Sequence, residues 1–195
     1  MQQLDPKQFS RAMRNLINVR VEAKAQLRMR QLSKLNLYAQ LHKAERQPAR
    51  PYQLKMYLRG FLSHAVALKF KLRAGVAELQ LEASRRSDGG CSASCPVCPE
   101  PVESVVHFLV QCPQYSEERA QLWDTLRGID PVEAAATQQL TEEQQAVALL
   151  ADTMWPAVHE DAASAASIRQ DVQRFMLSIM ADRQYWVAAY AYYDT

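Results

Sequence analysis

Apolar residues near the N-terminus recur at helical steps. Phe9, Met13, Leu16, Ile17, Leu27, Leu35, Tyr38 and Leu41 lie three or four residues apart or at multiples of that spacing, which predicts one long amphipathic helix over residues 5–45. Asp5 suits its cap and Pro6 its first position. Pro48 and Pro51 break the pattern. A second helix is predicted over residues 53–85, with a kink at Gly60 or Gly75; its apolar face runs through Leu54, Leu58, Phe61, Leu62, Val66, Phe70, Leu72, Val76, Leu79 and Leu81. A short helical pattern spans residues 102–111, opened by Pro101 and ended by Pro113, with Val105, Val106, Leu109 and Val110 available to a core. Ser116 suits the cap of a further helix through Arg127 that buries Leu122, Trp123 and Leu126 and closes at Gly128. Thr141 with Gln144 reads as a capping box opening a helix to about Asp152. The last predicted helix covers residues 163–193, with a heptad-like stripe of Ile168, Val172, Phe175, Met176, Ile179, Met180, Trp186, Val187 and Tyr190.

These elements imply an all-α protein, and the composition agrees. Only 5 of 195 residues are Gly, 48% are hydrophobic, and no alternating β-branched run or flanked hairpin turn stands out. No stretch approaches the 18 uncharged apolar residues that a membrane-spanning helix needs, so no membrane partner is expected. The polar N-terminus lacks the apolar stretch of a signal peptide, and four cysteines are too few for a disulfide scaffold. Both point to an intracellular reducing compartment: cytoplasm, nucleus or an organelle matrix.

Charge divides the chain more sharply than its net value of +2 suggests. Residues 1–90 hold 18 of the 23 Lys and Arg and 6 of the 21 Asp and Glu, a net of +12; residues 91–195 hold 5 and 15, a net of −10. Clustered cations are the electrostatic footprint of phosphate binding. The candidate contacts are Arg11, Arg14, Arg20, Lys24, Arg28, Arg30 and Lys34 on the first helix and Lys69, Lys71 and Arg73 on the second. The competing reading is a solvated basic helix, or two halves that attract each other.

The most specific chemistry lies between the halves. Cys95-Pro96-Val97-Cys98 is followed after eight residues by His107 and after four more by Cys112. Three thiols and one imidazole at this spacing form a Cys3His set, the donor chemistry of a tetrahedral Zn2+ site. A Cys-x2-Cys turn converges two sulfurs and aims backbone N–H groups at them. Four protein ligands leave no open position, so the expected role is structural. Cys91, four residues before Cys95, reads either as a free surface thiol or as an alternate ligand. The chain divides accordingly: a basic arm over 1–50, a second basic helix over 51–88, a metal unit over 89–127 and acidic helices over 128–195.

The residues around the ligands sharpen this reading. Cys95-Pro96-Val97-Cys98, Val102-Glu103-Ser104, His107-Phe108-Leu109, Gln111-Cys112-Pro113-Gln114-Tyr115 and Arg119, with Leu72-Arg73-Ala74-Gly75 and Leu79 upstream, resemble the zinc-binding domain that follows the reverse transcriptase in non-LTR (LINE-type) retrotransposons. The resemblance covers about residues 60–127. It implies a role in holding RNA or target DNA. It does not extend to a polymerase: Tyr192-Tyr193-Asp194-Thr195 carries one carboxylate where a Tyr-x-Asp-Asp site has two.

The expected function is therefore a zinc-stabilised helical nucleic-acid-binding protein that meets RNA or DNA through phosphate contacts. The alternative is a structural subunit whose long helices dock into a larger assembly or self-associate. An enzyme is not expected, since no Ser/His/Asp set, Gly-rich phosphate loop or open metal site is present. His159, Glu160 and Asp161 read as a solvated turn beside Pro156, and His64 as an isolated side chain. The terminal Tyr185, Trp186, Tyr190, Tyr192 and Tyr193 could stack on bases or pack on protein.

Overall fold

The computed structural model describes residues 64–88, 90–151 and 162–193, together with 13, 15–17, 19–21, 23, 24, 27, 28 and 40. The described residues between 13 and 28 are helical, as the periodicity predicts, and all are exposed. The Pro48–Pro51 break, the start of the second helix, and the turn at His159 lie outside the described residues. Among the described residues six α-helices follow: α1 (His64–Ala74), α2 (Gln80–Arg86), α3 (Ser116–Ile129), α4 (Pro131–Gln138), α5 (Glu142–Leu150) and α6 (Ala162–Tyr193). Between α2 and α3 come a loop, a π-helical turn (His107–Gln111) and a 3-10 turn (Pro113–Tyr115). No strand occurs among the described residues, and the all-α class holds. None of the described helices is long and apolar enough to cross a membrane.

Gly75 ends a helix instead of kinking one. Its φ of 63° is left-handed, and it closes α1 with two bonds: Gly75 N–H to Leu72 O at 3.4 Å and Val76 N–H to Lys71 O at 2.9 Å. This is the Schellman arrangement, in which glycine avoids the Cβ penalty of left-handed backbone. Gly128, in contrast, lies inside α3, which stops at Asp130. Asp130 accepts a bond from Glu133 N–H at 3.0 Å and Pro131 takes the first position of α4, a helix that the hydrophobic pattern alone does not mark. The Thr141–Gln144 capping box is present as expected.

One apolar core runs from Leu68 to Met180 and is shared by the segments 51–88, 89–127 and 128–195. The long helix α6 packs on α3 and α1, and α5 packs on the π turn. The predicted stripe on α6 is buried through Ile168, Val172, Phe175, Met176, Ile179 and Met180. Each such side chain contributes about 1.5–3 kcal/mol of transfer energy.

The face of α1 differs from the expected one. Phe70 and Val76 are exposed, whereas Lys69 and Arg73 are 1% exposed. Leu68 and Leu72 set the buried face, and the adjacent i,i+4 pair Lys69 and Arg73 is carried in with it. A buried guanidinium is tolerable only when hydrogen-bonded. Arg73 Nη1 donates to the carbonyl of Leu150 at 2.6 Å and so serves the C-terminus of α5.

Candidate metal centre

Ala93 O accepts from Glu103 N–H at 2.7 Å, and Glu100 O accepts from Cys95 N–H at 2.9 Å. These two bonds close the loop that carries Cys95 and Cys98. The helical stretch that follows begins later than expected, because Pro101 and Val102 stay outside it. Its cap is Ser104, whose Oγ accepts from His107 N–H at 3.0 Å.

The His-x4-Cys spacing is met by a change of helix type. At about 100° per residue, an α-helix would put positions 107 and 112 about 140° apart. Instead Cys112 N–H bonds His107 O at 2.8 Å. This i→i+5 bond widens the turn and brings Cys112 back toward the face of His107. Phe108 and Leu109 point into the core from the same turn.

The ligand atoms of Cys95, Cys98, His107 and Cys112 all lie within 4.8 Å of one another. Cys98 Sγ is 3.4 Å from His107 Nε2. Cys95, His107 and Cys112 are buried and Cys98 is half-buried. An ion among these atoms would be reached by all four, so the cluster is able to hold a metal.

Burial and mutual hydrogen bonding set the protonation of the four groups. Burial lowers the pKa of His107 and keeps the imidazole neutral, as a ligand must be. Cys95 and Cys112 shift oppositely through one interaction. Their hydrogen bond raises Cys95, further raised by burial, and lowers Cys112. Cys112 is therefore the more readily ionised of the pair, with Cys95 as its hydrogen-bond partner. Burial raises Cys98. Backbone hydrogen bonds from Val97, Glu100 and Gln114 lower Cys95, Cys98 and Cys112 respectively, because N–H donation stabilises thiolate; at Cys95 and Cys98 they are outweighed, and at Cys112 they add to the lowering. Arg119 Nη2 donates to the carbonyl of Cys112 at 2.5 Å and places a positive charge beside that sulfur. Tyr115 is fully buried and meets Phe108 edge-on at 5.7 Å, and burial raises its phenol pKa.

Three groups were not legible as a set in the sequence. Glu103 is 1% exposed. Arg183 Nε donates to its Oε1 at 2.5 Å and Nη2 to its Oε2 at 2.8 Å. Gln80 N–H, the first of α2, donates to Oε2 at 2.6 Å. Arg183 stands four residues after Ile179, where the α6 stripe calls for an apolar side chain, and that misfit was the available signal.

Of the basic candidates, Arg20, Lys24, Arg28 and Lys71 are exposed. Lys71 lies 3.8 Å from Glu78. Lys69 and Arg73 are buried, which corrects their reading as phosphate contacts. Arg11, Arg14, Arg30 and Lys34 lie outside the described residues. Cys91 is an exposed free thiol and does not belong to the four-atom cluster. No family model, curated protein or solved structure matches this chain.

Proposed function

We propose that this chain is a zinc-stabilised helical nucleic-acid-binding protein, related to the zinc domain of a non-LTR retrotransposon reverse transcriptase and without polymerase activity of its own. The closed Cys3His cluster carries this reading. In a tetrahedron with Zn–S of about 2.3 Å and Zn–N of about 2.0 Å, neighbouring S and N atoms stand about 3.5 Å apart. The observed 3.4 Å between Cys98 Sγ and His107 Nε2 fits that edge. Thiolate and imidazole together favour zinc over hard cations that prefer oxygen. Four converging ligands leave no position for a reacting water, which supports a structural role. Arg20, Lys24 and Arg28 are exposed in the half of net charge +12 and are the cations offered to phosphates.

A filter-binding salt series on RNA and DNA tests the reading. Affinity should fall steeply with salt, because neutralised phosphates release counterions. No binding at low salt removes the nucleic-acid role; less than one zinc per chain in metal-washed protein removes the metal.

One observation favours a second reading, a subunit that docks through its helices. On a helical wheel, Met13, Leu16, Ile17 and Leu27 share a face with Arg20, Lys24 and Arg28. The four apolar residues are 40–61% exposed. Phosphates would use the cations but leave the apolar groups unmatched, whereas an acidic protein surface with apolar gaps would use both. Sedimentation of nucleic-acid-free protein separates the readings: a monomer favours the first.

A further inference from the structure

The dipeptide Glu103-Ser104 sits at a junction whose consequence reaches beyond a metal-stabilised loop. Its main chain and side chains serve four elements. Glu103 N–H holds the carbonyl of Ala93, two residues before Cys95. Ser104 Oγ holds the N–H of His107. Glu103 Oε2 caps α2 at Gln80. Both oxygens of Glu103 receive the fork of Arg183 from α6, eighty residues away.

We propose that Glu103 and Arg183 make metal occupancy and the docking of the C-terminal half of α6 one linked equilibrium, with Glu103 as the positioning residue. This rests on the metal reading above. Three ligands lie within a few residues of bonds that Glu103 and Ser104 make. An ion that fixes Cys95, Cys98 and His107 therefore fixes the carboxylate that Arg183 must meet. Arg183 is buried, and burial alone would disfavour its charge; the bond to Glu103 more than offsets this. If the loop relaxes, Arg183 is left charged and buried without its fork, and the favourable response is for that part of α6 to leave the core.

The position along α6 matters. Up to Arg183 its stripe is buried; beyond it, Gln184, Tyr185 and Ala188 are exposed. Among the described residues of α6, Arg183 is the last buried one, and the helix runs on with Tyr185, 69% exposed. Releasing Arg183 adds the surface of Ile179 and Met180 to that of the exposed Tyr185. Metal loss would then be signalled on α6, far along the sequence from any ligand. Linkage also requires the reverse: weakening the tie must weaken metal binding by the same factor.

The test uses the full chain and zinc. Affinity is measured by chelator competition for the wild type, Arg183→Met, Arg183→Lys and Glu103→Gln, each checked for helicity by circular dichroism. Amide exchange of wild-type α6 is followed with and without zinc. Arg183→Met and Glu103→Gln should each weaken zinc roughly 10–100-fold, the range for groups that orient ligands through hydrogen bonds. Arg183→Lys, which keeps the charge but loses the fork, should fall between them and the wild type. Zinc removal should speed exchange over residues 175–185 at least tenfold more than over α4.

Arg183→Lys and Arg183→Met with wild-type zinc affinity, or an α6 whose exchange ignores zinc, overturns the linkage and leaves the metal site standing. A wild type that binds no zinc overturns both. If Arg183→Met does not fold, Arg183→Lys and the wild-type exchange experiment decide alone.

Discussion

Two basic stretches of this chain have similar composition and opposite surroundings. Arg20, Lys24 and Arg28 stand in solvent together with Met13, Leu16, Ile17 and Leu27. Lys69 and Arg73 are buried together with Leu68 and Leu72. In both places cations and apolar residues occur at helical spacing. The difference is the neighbour. α1 packs on α5 and α6, and Arg73 finds the Leu150 carbonyl at the end of α5. Charge count alone therefore does not identify a phosphate-binding face. What decides is whether the apolar positions beside the cations have a surface to bury against.

The metal centre offers the largest way to break that contrast. Cys112→Ser, or chelation of the wild type, should unfold the buried side while leaving Arg20, Lys24 and Arg28 as exposed as before. The loss has an upper limit of about 10–16 kcal/mol, the range for zinc-finger peptides. A domain with its own core should lose less, and thermal unfolding with and without chelator measures it. Acid should act in the same direction. His107 is depressed below the ordinary imidazole value by burial, so the unfolded chain binds its proton more readily. That contribution to stability is present above about pH 6.5 and is lost as pH falls through the lowered folded value. Protons also compete with the ion for Cys95 and Cys98, whose thiol forms are favoured. If the ion is zinc, as proposed, its release followed by a chromogenic chelator should therefore increase on acidification. Release that increases toward alkaline pH would contradict this account.

The next effect separates the two basic stretches directly. Arg73→Met leaves the Leu150 carbonyl without that donor, which should cost about 1–3 kcal/mol in urea unfolding. Arg20→Met on the exposed stretch should change stability by no more than about 0.5 kcal/mol. Equal costs would mean that the two stretches share one environment.

How far the sequence revealed these environments depended on the range of the interaction. The capping box at Thr141, the ligand quartet and the stripe of α6 are local patterns, and each was legible. The π turn was not, because helical periodicity assumes α geometry, while the His-x4-Cys spacing required a wider turn. Nor was the burial of Lys69 and Arg73, since the pattern placed Phe70 and Val76 on the inner face. Glu103 and Arg183 are eighty residues apart, and nothing local joins them. Arg119 was marked by resemblance alone; its contact with the Cys112 carbonyl gives the position a physical reason.

A smaller effect sharpens the contrast from the buried side. Thr141 accepts the N–H of Gln144, and the Gln144 side chain accepts that of Thr141. Both groups are exposed, yet they start α5, whose Ala146–Leu150 run is wholly buried. Thr141→Ala should cost about 1 kcal/mol, less than Arg73→Met although both act on one helix, at opposite ends. A cost as large as that of Arg73→Met would mean that the cap sets the packing of α5 as well as its start.

The smallest effect on stability belongs to the exposed cations, and there the readout that matters is salt. If Arg20, Lys24 and Arg28 meet phosphates, each Ala substitution should weaken binding similarly across nucleic-acid sequences. Each should also reduce the slope of log affinity against log salt by about 1. Lys69, with its ammonium buried, should leave that slope unchanged when replaced by Met, provided the variant folds. The apolar neighbours supply the control. Ile17→Ser removes no charge, so a phosphate surface predicts an unchanged slope and nearly unchanged affinity. A docking surface for protein predicts that Ile17→Ser weakens association as much as Arg20→Ala does, because the two side chains share one face and would be buried by one partner. The ratio of those two effects, measured on the same helix, distinguishes a face that attracts phosphates from one that lacks its protein neighbour.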